Sequence, residues 1–382
     1  DTAKITTGTL ADARLPANAL NSNVSIPNQS AFKNIIINGD MSIAQRSTSV
    51  ASITTSGYHT TDRWYIENNN MGTFTISQST DVPTGQGFSK SLKFDCTTAD
   101  ASPASGDTIG LRQKFEGQNL QYLKFATSSA ESLTLSFWIK SNKTGTYNVA
   151  LFGQDSASTA QYLTKAYTIS SANTWEKKTI TYAGNTANGF DNDNARSLDL
   201  VFNFGTGSSN TGGTLQTVWS NYGTSADYYA TQGVNLADNT ANELYITGVQ
   251  LEAGTTASDF EFLPHDVNKN RCLRYYYVHA EGSLKEIGCG FYYTNNYLTC
   301  HLQFPQEMRA APSLVKTSGT NYYKAWRANS SDDFDDFNNG IQSATTTSCG
   351  VDGTTGVSGT QGEGNRIITA NASSLIAFSS EL

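Results

Sequence analysis

The stretch from Ser132 to Lys140 reads SLTLSFWIK and decides the fold class. Every second side chain is apolar: Leu133, Leu135, Phe137 and Ile139. The positions between them hold Thr134, Ser136, Trp138 and Lys140. A period of two predicts a β-strand with one face in a core and the other face turned outward. A single indole, Trp138, stands on that outward face.

The same rhythm recurs between Phe32 and Pro264, most clearly from Leu198 to Phe204. Polar turn clusters such as Ser141 to Gly145 separate the apolar runs, and no long window has the period of a helix. Many short strands with one polar face are typical of antiparallel sheets that pack face to face. We therefore predict an all-β chain whose main part is an antiparallel jelly-roll β-sandwich.

The composition agrees with this fold class and excludes some classes of binding partner. Charged residues make up 15% of the 382 residues, against about 25% in ordinary soluble proteins. The net charge of −8 and the pI near 5.0 are a poor match for phosphate backbones, so we expect no nucleic-acid partner. No apolar run approaches the ~20 residues of a membrane helix, so we expect no membrane insertion.

We predict four segments along the chain. Residues 1–32 read as an N-terminal stalk or linker, and residues 33–265 as the jelly roll. Residues 266–280 read as a helical hinge that Asp266 would cap. Residues 281–382 read as a smaller C-terminal β domain. Because the chain begins with Asp1 rather than Met, we expect it to be a fragment of a longer protein.

Five scattered cysteines show no CxxC spacing, which disfavours structural zinc. Cys289 and Cys300 flank the turn signal Asn295-Asn296 and could approach each other. We favour buried free thiols over disulfides, which implies assembly in a reducing cytosol.

Several motifs, taken in order, resemble those of bacteriophage tail-fibre and receptor-binding proteins with a carbohydrate-binding-like jelly roll. The motifs are ITTGTLADARLP at 5–16, NIIINGDMSIAQR at 34–46, TDRW at 61–64, SFWIK at 136–140, NTWEKK at 173–178, FDNDN at 190–194, ITGVQLE at 246–252, ASDFE at 257–261, CLRYY at 272–276, and FP at 304–305 with MRAAP at 308–312. The last seventy or so residues show no such match.

The resemblance implies a virion protein of the phage tail, assembled in the host cytoplasm. It implies a homotrimer that contacts other phage tail proteins and a host cell-surface glycan. Jelly rolls of this kind often hold a structural calcium ion, which by resemblance would lie near Asp40 and Glu252. No other cofactor is expected.

Asp191 and Asp193 mimic the start of a calcium loop, but Ala195 at the next alternate position breaks the pattern. They are either calcium ligands or part of a solvated acidic turn.

Six aromatic residues are candidates for stacking on the apolar face of a sugar ring. They are Trp138, Trp219, Tyr222, Tyr322, Tyr323 and Trp326. The alternative for each is a packing role, in which a loop, a neighbouring subunit or a small core covers the ring.

We expect no enzymatic activity. The four histidines are isolated from any nucleophile motif, and the short repeats of a polysaccharide-cleaving β-helix do not occur. The predicted function is non-enzymatic attachment of a phage tail fibre to a host glycan. The alternatives are a bacterial surface or secreted carbohydrate-binding module, a polysaccharide-degrading tailspike, and a purely structural adaptor.

Overall fold

The computed structural model describes residues 32–155, 159–223, 228–230, 232–328 and 330–382. The chain divides into two units, residues 1–33 and residues 34–382. The predicted stalk, residues 1–32, lies outside the described residues except for Phe32. No helix in the described ranges is long and apolar enough to cross a membrane.

Eleven strands build the first part of the second unit, and the stretch quoted above forms the fifth. They are β1 Ser49–Tyr58, β2 Tyr65–Ser79, β3 Ser91–Thr98, β4 Thr108–Glu116, β5 Leu133–Ser141, β6 Gly145–Gly153, β7 Gln161–Ile169, β8 Glu176–Tyr182, β9 Arg196–Thr206, β10 Ser220–Asn221 and β11 Glu243–Ala253. Every pairing between them is antiparallel.

The eleven strands form two layers that share β2. The hydrogen-bonded order is β10-β7-β6-β9-β4-β2-β3-β11-β5-β8, and β1 pairs with β2. Residues 65–70 of β2 pair with β4, whereas residues 73–79 pair with β3. We call β10-β7-β6-β9-β4-β2 the first layer and β2-β3-β11-β5-β8 the second layer. This arrangement confirms the predicted jelly-roll β-sandwich.

Aromatic rings from the two layers meet in the core between them. Phe137 of β5 contacts Phe202 of β9 with ring centroids 5.0 Å apart, and Phe94 of β3 contacts Phe204 of β9 at 5.0 Å. These rings come from the apolar positions of the alternating pattern and are fully buried. The intervening positions therefore lie on the two outer faces of the sandwich.

A short helix and ten further strands follow. They are α1 His265–Leu273, β12 Tyr276–Glu281, β13 Glu286–Thr294, β14 Tyr297–Gln303, β15 Ser313–Lys316, β16 Tyr323–Arg327, β17 Ser330–Phe334, β18 Gly340–Gln342, β19 Ser348–Gly353, β20 Gly364–Thr369 and β21 Leu375–Ser379. They form a three-stranded sheet, β12-β21-β15, and a seven-stranded sheet, β17-β16-β20-β13-β14-β19-β18. We call this part the C-terminal domain.

Two local predictions in this region have clear outcomes. The hairpin at Asn295-Asn296 is confirmed, because β13 and β14 pair across it. The predicted cap at Asp266 is wrong, because α1 begins at His265 after Pro264 and no side chain caps it. Asp266 instead lies in the first helical turn, where its negative charge is favourable to the helix dipole. All five cysteines are free, and only Cys289 is exposed.

Charged contacts fasten the C-terminal domain to the sandwich, and we call this region the joint. Glu116, at the end of β4, accepts hydrogen bonds from Nε and Nη2 of Arg274, at 2.9 and 2.7 Å, and from the Tyr275 hydroxyl. The Arg63 guanidinium pairs with Glu381 and stacks 3.4 Å from the centroid of the Tyr275 ring. The joint gathers residues of the motifs at 61–64 and 272–276.

The motif at 34–46 reaches the same place. The Gln45 backbone N–H donates to Asp62 at 2.8 Å, and its side-chain amide donates to the Tyr276 carbonyl at 2.8 Å. The Arg46 guanidinium lies 3.6 Å from the centroid of the Tyr276 ring. These three motifs therefore share a structural role, which is to hold two β domains together.

Candidate functional site

The outer face of the second layer carries a row of paired side chains. Trp138 of β5 lies opposite Lys177 and Thr247, and Ile139 lies opposite Glu176. The next step of this register places Trp175 opposite Lys140. Lys140 in turn lies opposite Tyr245 of β11. We call the outer face formed by Trp138, Lys140, Trp175 and Tyr245 the tryptophan surface.

The Trp175 and Tyr245 rings of this surface are fixed by hydrogen bonds and by a neighbouring cation. The Trp175 and Tyr245 ring centroids are 6.3 Å apart in an edge-on arrangement. The Lys140 ammonium lies 4.4 Å from the Tyr245 centroid and 5.6 Å from that of Trp175. The Trp175 indole N–H donates to Asp81 at 3.0 Å, and Asp81 also pairs with Lys140. Rings held this way need little further ordering when a ligand stacks on them.

A second carboxylate, that of Glu243, lies beside Tyr245. Glu243 accepts from Lys93 at 2.6 Å and from the Tyr245 hydroxyl at 2.8 Å. Burial opposes ionisation of both carboxyl groups. The hydrogen bond from Lys93 to Glu243 and that from Lys140 to Asp81 outweigh burial, so the pKa of each carboxyl group is lowered. Burial and the bond to Glu243 raise the pKa of Tyr245 to about 12. At neutral pH the surface therefore presents two carboxylate acceptors, two ammonium donors and one phenol.

Trp138 extends the surface along β5. It is half-buried, and it lies two residues from Lys140, so both side chains stand on the same face of the sheet. Indole and phenol rings next to hydrogen-bonding groups are what a sugar requires, since its C–H face is apolar and its edges carry hydroxyls. The tryptophan surface has both features.

The outer face of the first layer is built differently. Tyr222 is exposed, but its ring packs edge-on against Phe152, Tyr162 and Tyr228 at 5.3 to 6.2 Å. Tyr228 and Tyr162 are buried, so this tyrosine cluster covers the sheet beneath it.

Farther along the same face, Arg112 pairs with Glu67 at 2.6 Å and with Asp199 at 3.2 Å. Arg196 also pairs with Asp199. Burial alone would lower the pKa of Arg112, but the charges of Glu67 and Asp199 raise it. Ion pairs among neighbouring side chains and packed tyrosine rings therefore dominate this face.

The other predicted aromatic residues lie apart. The Trp219 indole N–H donates to the Ala183 carbonyl at 2.7 Å, and its ring packs against Phe125. In the C-terminal domain, Tyr323 is fully buried and its hydroxyl donates to the Thr317 carbonyl at 2.6 Å. Tyr322 packs beside that core, whereas Trp326 is exposed.

The four predicted calcium ligands do not form a common group. Asp40 accepts from the Asn268 side chain at 3.2 Å. Both carboxylate oxygens of Glu252 are engaged by Ser258, at 2.8 and 2.7 Å. In the part of the chain that is described, no three His, Cys, Asp or Glu side chains converge as metal ligands. These residues as placed do not fit a calcium site, and the structural calcium stays a prediction.

Asp191 and Asp193 are exposed, and Asp191 lies beside Asp155. The Asp191 backbone N–H donates to Asp155 at 2.8 Å. The negative charge of Asp155 and a hydrogen bond to it raise the pKa of the Asp191 carboxyl.

Two aromatic residues of the tryptophan surface are absent from the sequence-based candidates. Tyr245 alternates with Leu244 and Ile246, so the period of two placed it on an outer face. Trp175 lies just before β8, where alternation gives no signal. Only the pairing of β8 with β5 brings Trp175 beside Lys140.

Neither known protein families nor curated protein sequences give a match to this chain. Solved structures give partial similarities. The enzymatically active domain of tailspike protein 4 from Bacteriophage CBA120 is 14% identical with a TM-score of 0.31, and the match covers 58% of this chain and 21% of that domain. The match thus spans about a fifth of the length of the tailspike domain.

Two carbohydrate-binding modules are also similar. A xylan-binding domain of family 22 from Paenibacillus barcinonensis is 16% identical with a TM-score of 0.27, covering 50% of this chain and 91% of that one. A family 11 module from Clostridium thermocellum, in complex with a mixed-linked tetrasaccharide, is 10% identical with a TM-score of 0.27, covering 55% and 98%. Such scores and identities are too small to carry an argument about function.

Proposed function

We propose that this chain binds glycans, without cleaving them, as part of a phage tail fibre that attaches to the host surface. The observation that carries the glycan part is the tryptophan surface. Its rings lie on an outer face, and those of Trp175 and Tyr245 are fixed by Asp81, Lys140 and Glu243. Stacking on a ring supplies contact area, and the neighbouring charged groups supply hydrogen bonds that orient the sugar hydroxyls.

The tail-fibre part rests on the ordered set of motifs described above, and three of those motifs hold the two β domains together at the joint. A single stacking site is weak, but several copies of the chain on one particle would raise the effective concentration of sites. We propose a homotrimer for that reason and because it would cover exposed sheet edges. Light scattering after size exclusion should then give three times the chain mass of 41.2 kDa, and a monomer would contradict it.

The glycan test compares two substitutions with one control. Trp138→Ala and Trp175→Ala should each weaken binding to immobilised bacterial surface polysaccharides by roughly fivefold, since a stacked ring is worth about 1 kcal/mol. Tyr222→Ala removes an exposed ring from the opposite layer and should leave binding unchanged. Loss of binding with Tyr222→Ala alone would place the site on the first layer and contradict the proposal.

The absence of cleavage is tested on the same polysaccharides. After prolonged incubation with the protein, the concentration of reducing ends should stay at the level of a buffer control. Reproducible release of reducing ends would support the tailspike alternative instead. Antibody labelling of phage particles would test the location, with label on the tail appendage as the expected result.

A further inference from the structure

The seven-stranded sheet of the C-terminal domain has an outer face that takes no part in the site above. Tyr292, Tyr323 and Ile367 of β13, β16 and β20 point into the domain core. By alternation, the neighbouring side chains Phe291 and Trp326 point to the opposite side. Arg366, Cys289 and Tyr293 share that side, and we call it the C-terminal aromatic face.

This face is unusually rich in exposed rings. Of the eight large apolar side chains that are exposed in the described ranges, three lie here: Trp326 at 40%, Phe291 at 47% and Tyr293 at 62% of full exposure. The Arg366 guanidinium lies 5.1 Å from the centroid of the Trp326 ring. Tyr293 packs edge-on against Tyr297 with centroids 5.7 Å apart.

The charges next to the rings are balanced. Arg366 pairs with Glu286 at 2.6 Å, and both side chains are about half exposed, at 54% and 46%. Lys324 of β16 pairs with Asp333 at 3.0 Å. These ion pairs leave no excess of either sign to attract an ionic partner, whereas their donors and acceptors stay within reach of hydroxyl groups.

The strand register fixes the spacing of the rings. Trp326 lies opposite Arg366, and Arg366 lies opposite Cys289. Phe291 is two residues farther along β13. Strands about 4.8 Å apart with a rise near 3.4 Å per residue put the backbones of Trp326 and Phe291 about 12 Å apart. One sugar ring cannot stack on both side chains, so a ligand that uses both must contain several linked rings.

We propose that the C-terminal aromatic face is a second glycan-binding site, which takes a neutral oligosaccharide across Trp326 and Phe291. The rings supply the stacking planes. Arg366, on the strand between them, and its partner Glu286 offer donors and acceptors to the hydroxyls. The occupant is a neutral glycan rather than a protein, because the apolar side chains are separated by exposed ionised pairs, and charged residues are depleted from the cores of protein interfaces. The site stands independently of the tryptophan surface.

The test uses the full chain on an array of immobilised oligosaccharides. Neutral probes contain hexoses and N-acetylhexosamines, and matched acidic probes of equal length contain uronates. The double variant Phe291→Ala with Trp326→Ala should bind a set of neutral probes at least about tenfold more weakly than the unmodified chain. Val218→Ala, which shortens an exposed apolar side chain of the sandwich, should bind like the unmodified chain.

Other variants separate this proposal from the proposed function. Trp138→Ala with Trp175→Ala should retain binding to the neutral probes that the first double variant loses. If that pair of substitutions changes nothing on any probe, the tryptophan surface fails while the C-terminal site stands. Because Phe291 and Trp326 are exposed, the urea midpoint of their double variant should match that of the unmodified chain, so lost binding would not reflect unfolding.

Three outcomes would overturn the C-terminal site. The first is undiminished binding of neutral probes by the Phe291 and Trp326 double variant. The second is no binding of any neutral probe by the unmodified chain. The third is a lower particle mass of the double variant in light scattering, which would show that the face contacts another copy of the chain.

Discussion

Replacing Glu116 by glutamine should weaken the joint and lower the free energy of unfolding by about 3 kcal/mol. Glu116 is fully buried, and its two carboxylate oxygens accept four hydrogen bonds. Each oxygen receives one nitrogen of Arg274, at 2.9 and 2.7 Å. An amide therefore always turns its NH₂ group toward an arginine donor, whichever way it is rotated.

The magnitude follows from burial and from the partner. Breaking a buried ion pair costs about 3–5 kcal/mol, and the lower end applies because the Arg274 side chain is 26% exposed. Urea unfolding at pH 7, followed by tryptophan fluorescence and extrapolated to water, measures the loss. The control is Glu131→Gln, which removes an exposed pair with Lys124 and should cost no more than about 0.5 kcal/mol.

The pH dependence gives a second check. Burial would raise the pKa of Glu116, but hydrogen bonds from Arg274 and Tyr275 outweigh burial and lower this pKa below its ordinary value. A lowered pKa contributes stability that is complete above the unfolded value and is lost as the pH falls through the folded value. The difference in unfolding free energy between the wild type and Glu116→Gln should therefore become smaller at acidic pH. Equal losses for Glu116→Gln and Glu131→Gln at pH 7 would refute the reasoning.

Two further stability predictions concern single positions. Gly39→Ala should lower the free energy of unfolding by at least about 2 kcal/mol, because the added Cβ would lie 2.1 Å from the Val249 carbonyl oxygen. The control is Gly106→Ala, whose Cβ would meet nothing within 4 Å and should change the free energy of unfolding in urea by less than about 0.5 kcal/mol. Similar losses for the two variants would contradict the packing around Gly39. Burial raises the pKa of the Asp62 carboxyl to about 6, so the wild type should lose at most about 3 kcal/mol from this group as the pH rises from 4 past 6. Asp62→Asn should lack that loss in urea unfolding measured across this range, and parallel curves for the two proteins would disprove it.

The joint gives the C-terminal domain a fixed attachment to the sandwich. Its contacts are charged and buried rather than a flexible tether, as the Arg63–Glu381 pair and the stacked Tyr275 ring show. Ligands bound on the tryptophan surface and on the C-terminal aromatic face would thus be held at a constant separation. Constant separation favours simultaneous binding to one long glycan when the spacing matches it.

Local sequence periodicity predicted the strands and the two sides of each strand. Trp138 was placed on an outer face by alternation with Phe137 and Ile139, and the structure has it there. The same rule separates Tyr323 from Trp326, which are three residues apart on β16 and therefore point to opposite sides. Tyr323 is accordingly in the core, and Trp326 is exposed.

The sequence by itself determined the strands, their turn signals and the period that sorts core from surface, because these depend on neighbours a few residues apart. Only the tertiary structure decided that Trp175 stands beside Lys140 and Tyr245, and that Glu116 meets Arg274 across 158 positions. Such contacts depend on which strands pair and in what register. Pairing is selected by burial of the whole core and leaves no mark in a short window of sequence.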